Sequence, residues 1–446
     1  MKKMLINFFG ILIILGISTI TTVDRTHVHE TAYYQKAISD LENIRSIKTG
    51  GNGLYFKTGW AKTNMTPSYP VPLSGYGSRK GALSTGVHDS LWVRGFVFDN
   101  GITKSALITL DALLVPPAVT IELKDRVEKI GYSINNIFLS ATHTHCSVGS
   151  WADSWIGNKF AGDFDPNVID YLTDTIIKTI QMAELNIEKA QIGFNKYDAN
   201  EFVTNRLVGE KGIIDPWLRV VKLQKESGEI AFITTFAAHA TCLSGDEMRF
   251  SRDYPGALVD SLESLPNVDF AAFCAGGVGS HRPESGGNGQ YDRIAWLASN
   301  LKNMIKEDYL DITVKTESNI KTIQFNFSLR DPHWRIGTNW RFRPWVFNLL
   351  SEQSPQYISI LKIGNIVFAG TPCDFSGELI PEIESVTDPL GIHFIATSFN
   401  GGYIGYITKD IWYDLHEYET FIMNWFGPYN GAYFVELIQR LILTIS

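Results

Sequence analysis

Cysteine is scarce in this chain: Cys146, Cys242, Cys274 and Cys373 are the four in 446 residues. That is too few to build a disulfide scaffold, so the fold must rest on an apolar core, which a chain of this length can bury. Positive charge is also in deficit, with 39 Lys and Arg against 47 Asp and Glu and a net charge of −8. This excludes a nucleic-acid surface and any general attraction to anionic membranes. No fixed-period repeat or low-complexity tract interrupts the chain. Hydrophobic residues make up 44% and charged ones 19%, a globular balance.

Long apolar runs are missing except at the start, where residues 4–20 follow Lys2 and Lys3. Residues 1–22 read as a signal peptide or an uncleaved membrane anchor, short for a span, and predict an exported, periplasmic or extracellular protein. Tyr33, Ala37, Leu41 and Ile44 form one helical stripe, so residues 23–50 read as a stalk or linker helix leading to one domain over 51–446. In an exported protein the four cysteines either pack as small buried groups or form one or two disulfides.

Along that domain, residues from 59 onward are loop-rich. Residues 92–98 and 106–110, joined through Asp99-Asn100-Gly101, predict a hairpin. Pro116-Pro117 opens a helix whose Val119, Leu123, Val127 and Ile130 share a face, closed by Gly131. A second helix begins near Pro166. Buried strands are expected at 137–139, 190–194, 218–224, 230–238, 270–274, 365–370 and 394–397. Several run at once into Gly, His or Asp. Ligands bind at the carboxyl ends of strands in α/β folds, so these ends point to one shared site. The fold class is α/β or α+β, a mixed β-sheet core with flanking helices.

The stretch IFLSATHTHCSVGSW at 137–151 carries the strongest chemical signal. His143 and His145 stand at i and i+2, which extended backbone would aim to one side. They offer two ligands, or a ligand and a proton carrier, to one pocket. His239 closes another buried strand, Asp374 follows a third in T-P-C-D, and Tyr403 and Tyr406 lie in N-G-G-Y-I-G-Y. Two imidazoles with a carboxylate and an open position suit a catalytic Zn2+ ion.

The ordered set of motifs resembles the neutral, non-lysosomal ceramidases, specifically their N-terminal catalytic domain. The matching text is A-T-H-T-H at 141–145, N-R at 205–206, D-P-W-L-R-V at 215–220, F-A-A-H-A-T at 236–241 and D-Y-P-G at 253–256. It continues with A-G-G-V-G at 275–279, T-P-C-D at 371–374, N-G-G-Y-I-G-Y at 400–406 and E-Y-E at 417–419. The resemblance covers about residues 55 to 440. The resemblance, set against the chain's length, leads to the expectation that the family's C-terminal immunoglobulin-like domain is absent. It implies that His143, His239, Asp374 and Tyr406 ligate zinc, with Tyr403 the competing tyrosine. It implies that His145, Arg206 and Tyr418 line the catalytic pocket. His145 would shuttle a proton, and Arg206 or Tyr418 would stabilise the oxyanion. The implied activity is hydrolysis of the amide bond of an N-acylated, lipid-like (ceramide-type) substrate by metal-activated water.

Two residues depart from the family pattern. Asp374 replaces a glutamate, and Arg282 stands where the family has a serine after its glycine-rich turn, with Ser280 offset by two. The arginine predicts an acidic substrate group and places ceramide itself in question. Residues 333–350 interleave Arg335, Arg341 and Arg343 with Trp334, Trp340, Trp345 and Phe347. That mixture fits a membrane surface, or a packed loop with snorkelling arginines. A zinc hydrolase of another acyl ester or amide, and a non-catalytic lipid- or glycan-binding relative, are the alternative functions.

Overall fold

The computed structural model describes residues 16, 18–44, 50–352 and 354–445. Most of the N-terminal apolar run lies outside the described residues. Among the described residues, no helix is long and apolar enough to cross a membrane.

Among the described residues, thirteen strands form the two large sheets: β1 Gly50–Asn52, β2 Lys57–Asn64, β3 Trp92–Asp99, β4 Lys104–Leu110, β5 Ile137–Ala141, β6 Glu188–Asp198 and β7 Trp217–Lys225 come first. They are followed by β8 Ile230–Phe236, β9 Val268–Ala275, β10 Asn319–Asn326, β11 Tyr357–Ile363, β12 Ile366–Gly370 and β13 His393–Thr397. The larger sheet runs β9-β8-β7-β6-β2-β3-β4-β5 and the smaller β1-β10-β11-β12-β13. Most neighbours are antiparallel, but β4–β5, β8–β9 and β12–β13 are parallel. The mixed sheet with flanking helices is therefore as the sequence predicts.

Residues alternate along each strand between two apolar layers. On β3, Val93 and Val97 face helices, while Phe96 and Phe98 face the smaller sheet. On β12, Ile366 and Phe368 join that inner layer, and Val367 and Ala369 turn outward. The inner layer interlocks aromatic rings from both sheets, with Phe138 and Phe368 centroids 5.9 Å apart. Strands buried on both faces read as near-continuous apolar runs, which is why their sequences showed little polar alternation.

The helix over Pro117–Lys129 and that over Pro166–Glu184 cover one part of the larger sheet. Asp253–Glu263 and Gln290–Lys306 cover another. The helix Asn430–Ile445 covers the smaller sheet, and Ala32–Ile44, expected as a stalk, lies beside it. Its Tyr34, Ala37 and Leu41 are buried in that outer layer, and the Tyr34 hydroxyl donates to Glu436 at 2.7 Å. This helix is thus a packed layer of the domain. The segment after Gly59, expected as loop, continues strand β2 to Asn64.

Candidate metal centre

The carboxyl ends of the three parallel pairs converge. His143 lies two residues beyond β5, His239 three beyond β8, and Asp374 four beyond β12.

His143 adopts φ = 63°, the left-handed region, which costs a residue with a Cβ about 1 kcal/mol. Its ring stacks on Phe399 at 4.1 Å and 11°, and its Nδ1 lies 2.6 Å from the Leu113 carbonyl oxygen. The extended backbone expected across His143 and His145 is absent, so simple alternation does not orient them. The left-handed turn still brings their Nε2 atoms within 3.3 Å. The Thr144 hydroxyl donates to the Ser251 carbonyl, and Arg79 donates to that of His145, pinning the loop. Gly75, at φ = 117°, leaves space for His145, since a Cβ there would sit 2.8 Å from the His145 Cβ.

Nδ1 of His239 lies 3.2 Å from the Val278 carbonyl oxygen, in the A-G-G-V-G turn after β9. The D-Y-P-G motif braces the same loop. The Tyr254 hydroxyl donates to the Ala238 carbonyl at 2.5 Å, and the Asp253 carboxylate accepts from the Leu243 amide at 3.0 Å. Asp374 belongs to a two-residue parallel pairing with Tyr406–Ile407, in which Asp374 and Tyr406 are opposite. Gly279 touches the backbone of Asp374, and a Cβ there would come within 2.3 Å of its carbonyl oxygen. That close approach packs the glycine-rich turn directly against the backbone of Asp374. Its Oδ1 lies 3.4 Å from His143 Nε2, and its Oδ2 accepts from the Tyr403 hydroxyl at 2.9 Å.

His143 and His239 face each other with their Nε2 atoms 2.7 Å apart. A carbonyl oxygen can only accept, so Nδ1 of each ring carries the hydrogen and each neutral Nε2 presents a lone pair. Two lone pairs at that distance repel unless a cation lies between or beside them. Burial opposes a proton in that role: it pushes His143 down to about 3 and holds His239 and His145 well below the usual imidazole range. Burial also pushes Asp374 up to about 7, against the pull of the Tyr403 hydroxyl and the Arg206 guanidinium. Asp374 Oδ1 is buried with no hydrogen-bond partner. Neutral imidazoles with outer nitrogens tied to carbonyls, plus an unsatisfied carboxylate oxygen, fit a divalent metal of the zinc type.

His143, His145 and His239 form one group whose ligand atoms lie within 4.8 Å of one another. His145 differs from the other two because its Nδ1 is buried without a partner. The Tyr406 hydroxyl accepts from Arg206 Nη2 at 3.0 Å, and Arg206 Nε donates to Glu419 at 2.7 Å. The Tyr418 ring packs edge-on to Tyr406 at 5.7 Å and is 43% exposed. All the expected site residues are therefore brought into one neighbourhood.

Arg282 is not. It is exposed on the short strand His281–Pro283, paired with Thr204, and does not line the pocket. The basis for an acidic substrate falls with it. Ser280 is buried against the Ser376 hydroxyl at 2.7 Å. The four cysteines are all free and buried. Glu419, Phe399 and the carbonyls of Leu113 and Val278 were not foreseen. Only Glu419 left a mark, in the E-Y-E motif; a backbone carbonyl leaves none.

His143, His145, Asp374, Tyr403, Tyr406 and Tyr418 line the polar end of a pocket. Leu113, Leu114, Trp151, Ile156, Phe160 and Trp425 wall its apolar remainder.

Two packed sheets with helices outside, and a histidine–carboxylate cluster at converging strand ends, define a mixed α/β protein with a metal-type centre. The family profile described as "Neutral/alkaline non-lysosomal ceramidase, N-terminal" matches residues 56–284, just over half of the chain. The chain belongs to that family. It is 24% identical over 229 residues to the neutral ceramidase of Pseudomonas aeruginosa, covering 47% of this chain and 34% of that protein. To neutral ceramidase A of Dictyostelium discoideum it is 24% identical over 265 residues, or 53% and 36% of the two. The chain's matches thus span about a third of these relatives' length. The crystal structure of the Pseudomonas aeruginosa neutral ceramidase matches the fold with TM-score 0.74 at 18% identity, over 88% of this chain and 75% of that one. A ceramidase complexed with C2 matches with TM-score 0.75 at 17% identity, over 87% and 75%.

Proposed function

We propose that the protein is a zinc-dependent amidohydrolase cleaving the amide bond of an N-acylated, lipid-like substrate. The observation that carries this reading is the His143–His239 pair, with both Nδ1 atoms committed to carbonyls, beside the unpartnered Oδ1 of Asp374. His143, His239 and Asp374 would hold the ion, with Tyr406 as fourth ligand. Asp374 stands opposite Tyr406, and the Arg206 guanidinium at its hydroxyl opposes the burial that, with the Asp374 carboxylate, holds the phenol well above the usual tyrosine range. Zinc, when bound, supplies Lewis acidity that brings the pKa of water toward neutrality and polarises a carbonyl.

The remaining roles fall to groups of this chain. Hydrolysis adds hydroxide to the acyl carbon, breaks the carbon–nitrogen bond, and delivers a proton to the leaving amine. His145 is neutral, lies beside the ligand cluster and has no carbonyl holding its Nδ1, so it is suited to carry that proton. Arg206, fixed by Glu419, and Tyr418 on the pocket wall supply donors for charge developing on the carbonyl oxygen. The apolar wall takes the acyl chain. The names of the relatives support ceramide-type chemistry.

A second reading makes His145 a third nitrogen ligand, favoured by its Nε2 at 3.3 Å from that of His143. The test is metal analysis of the purified protein joined to turnover of a panel of N-acyl amides that includes ceramide. About one zinc per chain with amide cleavage is expected. Protein without bound metal refutes the centre, and bound metal with no turnover of any acyl amide or ester favours a binding function.

A further inference from the structure

The pocket holds a carboxylate that the hydrolytic chemistry does not use. Among the described residues, Glu352 is the one charged side chain of the lining outside the metal centre. It is half-buried, on the segment that follows the helix Pro344–Leu350. Two contacts with a neighbouring loop fix that segment. The Ile156 amide donates to the Leu350 carbonyl at 3.0 Å, and the Asp153 amide donates to Glu352 Oε2 at 3.2 Å. Further along, the Ser354 hydroxyl accepts from the Tyr403 amide at 2.5 Å, and the Tyr403 hydroxyl donates to Asp374. A short run of contacts thus joins the carboxylate to the metal centre.

Glu352 lacks a counter-ion. No Lys, Arg or His among the described residues pairs with it, and the charged neighbour that acts on it, Asp153, is acidic too. The ammonium of Lys159, in the adjoining helix Gly157–Ala161, instead lies over the Trp155 ring at 4.9 Å. Burial raises the Glu352 carboxyl above its ordinary range against the pull of the Asp153 amide, and the Asp153 carboxylate adds to that rise. The hydroxyl of the preceding Ser351, also in the lining, is buried with no hydrogen-bond partner. Buried charges in proteins are paired and buried hydroxyls are hydrogen-bonded, so both groups call for a partner from within the pocket. One positively charged donor satisfies both. Trp151, Phe160 and Trp425 add aromatic faces to the lining, and such faces attract cations.

We propose that Glu352 and Ser351 form a cation subsite, through which the pocket prefers N-acyl amides whose amine half carries an ammonium group to those that carry a carboxylate or phosphate. The identity of the substrate as an amide rests on the amidohydrolase reading, whereas recognition of a cationic amphiphile stands apart from turnover. The acyl chain lies along the apolar wall, and the ammonium donates to Glu352 and to the Ser351 hydroxyl. An anionic head meets the like charges of Glu352 and Asp153 and is rejected.

The test compares the full chain with Glu352→Gln, which keeps the side-chain shape and an acceptor for the Asp153 amide, and with Asp153→Asn, which keeps that amide. Binding of decylammonium, followed by titration calorimetry, reads the subsite without turnover. Glu352→Gln should weaken it roughly tenfold with metal content unchanged, the loss of a charge-assisted contact. Asp153→Asn should change it by less than about twofold, as an exposed charge does. The second arm measures kcat/KM for the N-lauroyl amides of ethylenediamine, ethanolamine and glycine. Glu352→Gln should lower the ratio of the ethylenediamine to the glycine amide about tenfold and leave the ethanolamine amide unchanged. Equal decylammonium affinity in the native protein and Glu352→Gln overturns the proposal. Equal weakening by both variants assigns the effect to the general field of the surface and also overturns it, as does an equal loss on all three amides. Turnover of none of the amides, with the tenfold binding loss present, would refute the amidohydrolase reading and support the cation subsite.

Discussion

The two ends of the pocket are built on opposite principles. At the inner end four of the reactive side chains are each held by a partner: Leu113 fixes His143, Val278 fixes His239, Tyr403 fixes Asp374 and Glu419 fixes Arg206. At the outer end the pocket is walled by apolar side chains such as Leu114, Ile156 and Phe160, which have no polar group to hold. The inner end selects by position, because a ligand misplaced by an ångström cannot bind the same ion. The outer end selects by area, and one side chain there can change with small effect. Sensitivity to substitution should therefore fall steeply from the inner end outward.

The largest effect belongs to the facing histidines. His143→Ala and His239→Ala should each reduce bound metal from about one ion per chain to near zero by mass spectrometry. Retention of full metal in both would break the inner-end reading. Next comes His145→Ala, expected to keep its metal and lose about 100-fold or more in rate. Metal loss in this variant would convert His145 from proton carrier to ligand.

Glu419→Gln should be milder. It keeps the packing but weakens the charge pairing that fixes Arg206, for an expected loss of roughly tenfold in kcat with metal content unchanged. Rescue toward the native rate by Glu419→Asp would separate orientation from bulk folding, whereas unchanged kcat in Glu419→Gln would remove Arg206 fixation from the account. Arg282→Ser marks the lower limit. As an exposed residue outside the pocket it should alter neither stability nor turnover by more than about twofold. A change in preference between neutral and anionic acyl amides would return it to the site.

Much of the architecture was legible because strand and helix patterns are local. The helix opened by Pro117 and closed near Gly131, the hairpin through Asn100-Gly101, and the strands ending before His143, His239 and Asp374 all follow from side-chain period and turn chemistry. Strand β11, buried along its whole length, shows no alternation to mark it; strand β10 and the C-terminal helix, with Glu436, Gln439 and Arg440 on one face, do carry a periodic pattern and lie outside the expected elements all the same.

The sequence by itself determined the kinds of ligand, their order, and their delivery at the ends of buried strands. Tertiary structure alone decided which atoms meet. It set the left-handed backbone at His143, the carbonyls that fix both imidazoles, and the pairing of Arg206 with Glu419, 213 residues away. It also turned Arg282 outward, although the motif around it had suggested a place in the site. Local periodicity reaches only a few residues along the chain, whereas the direction of each side chain at the centre depends on how two sheets pack and where their parallel strands end.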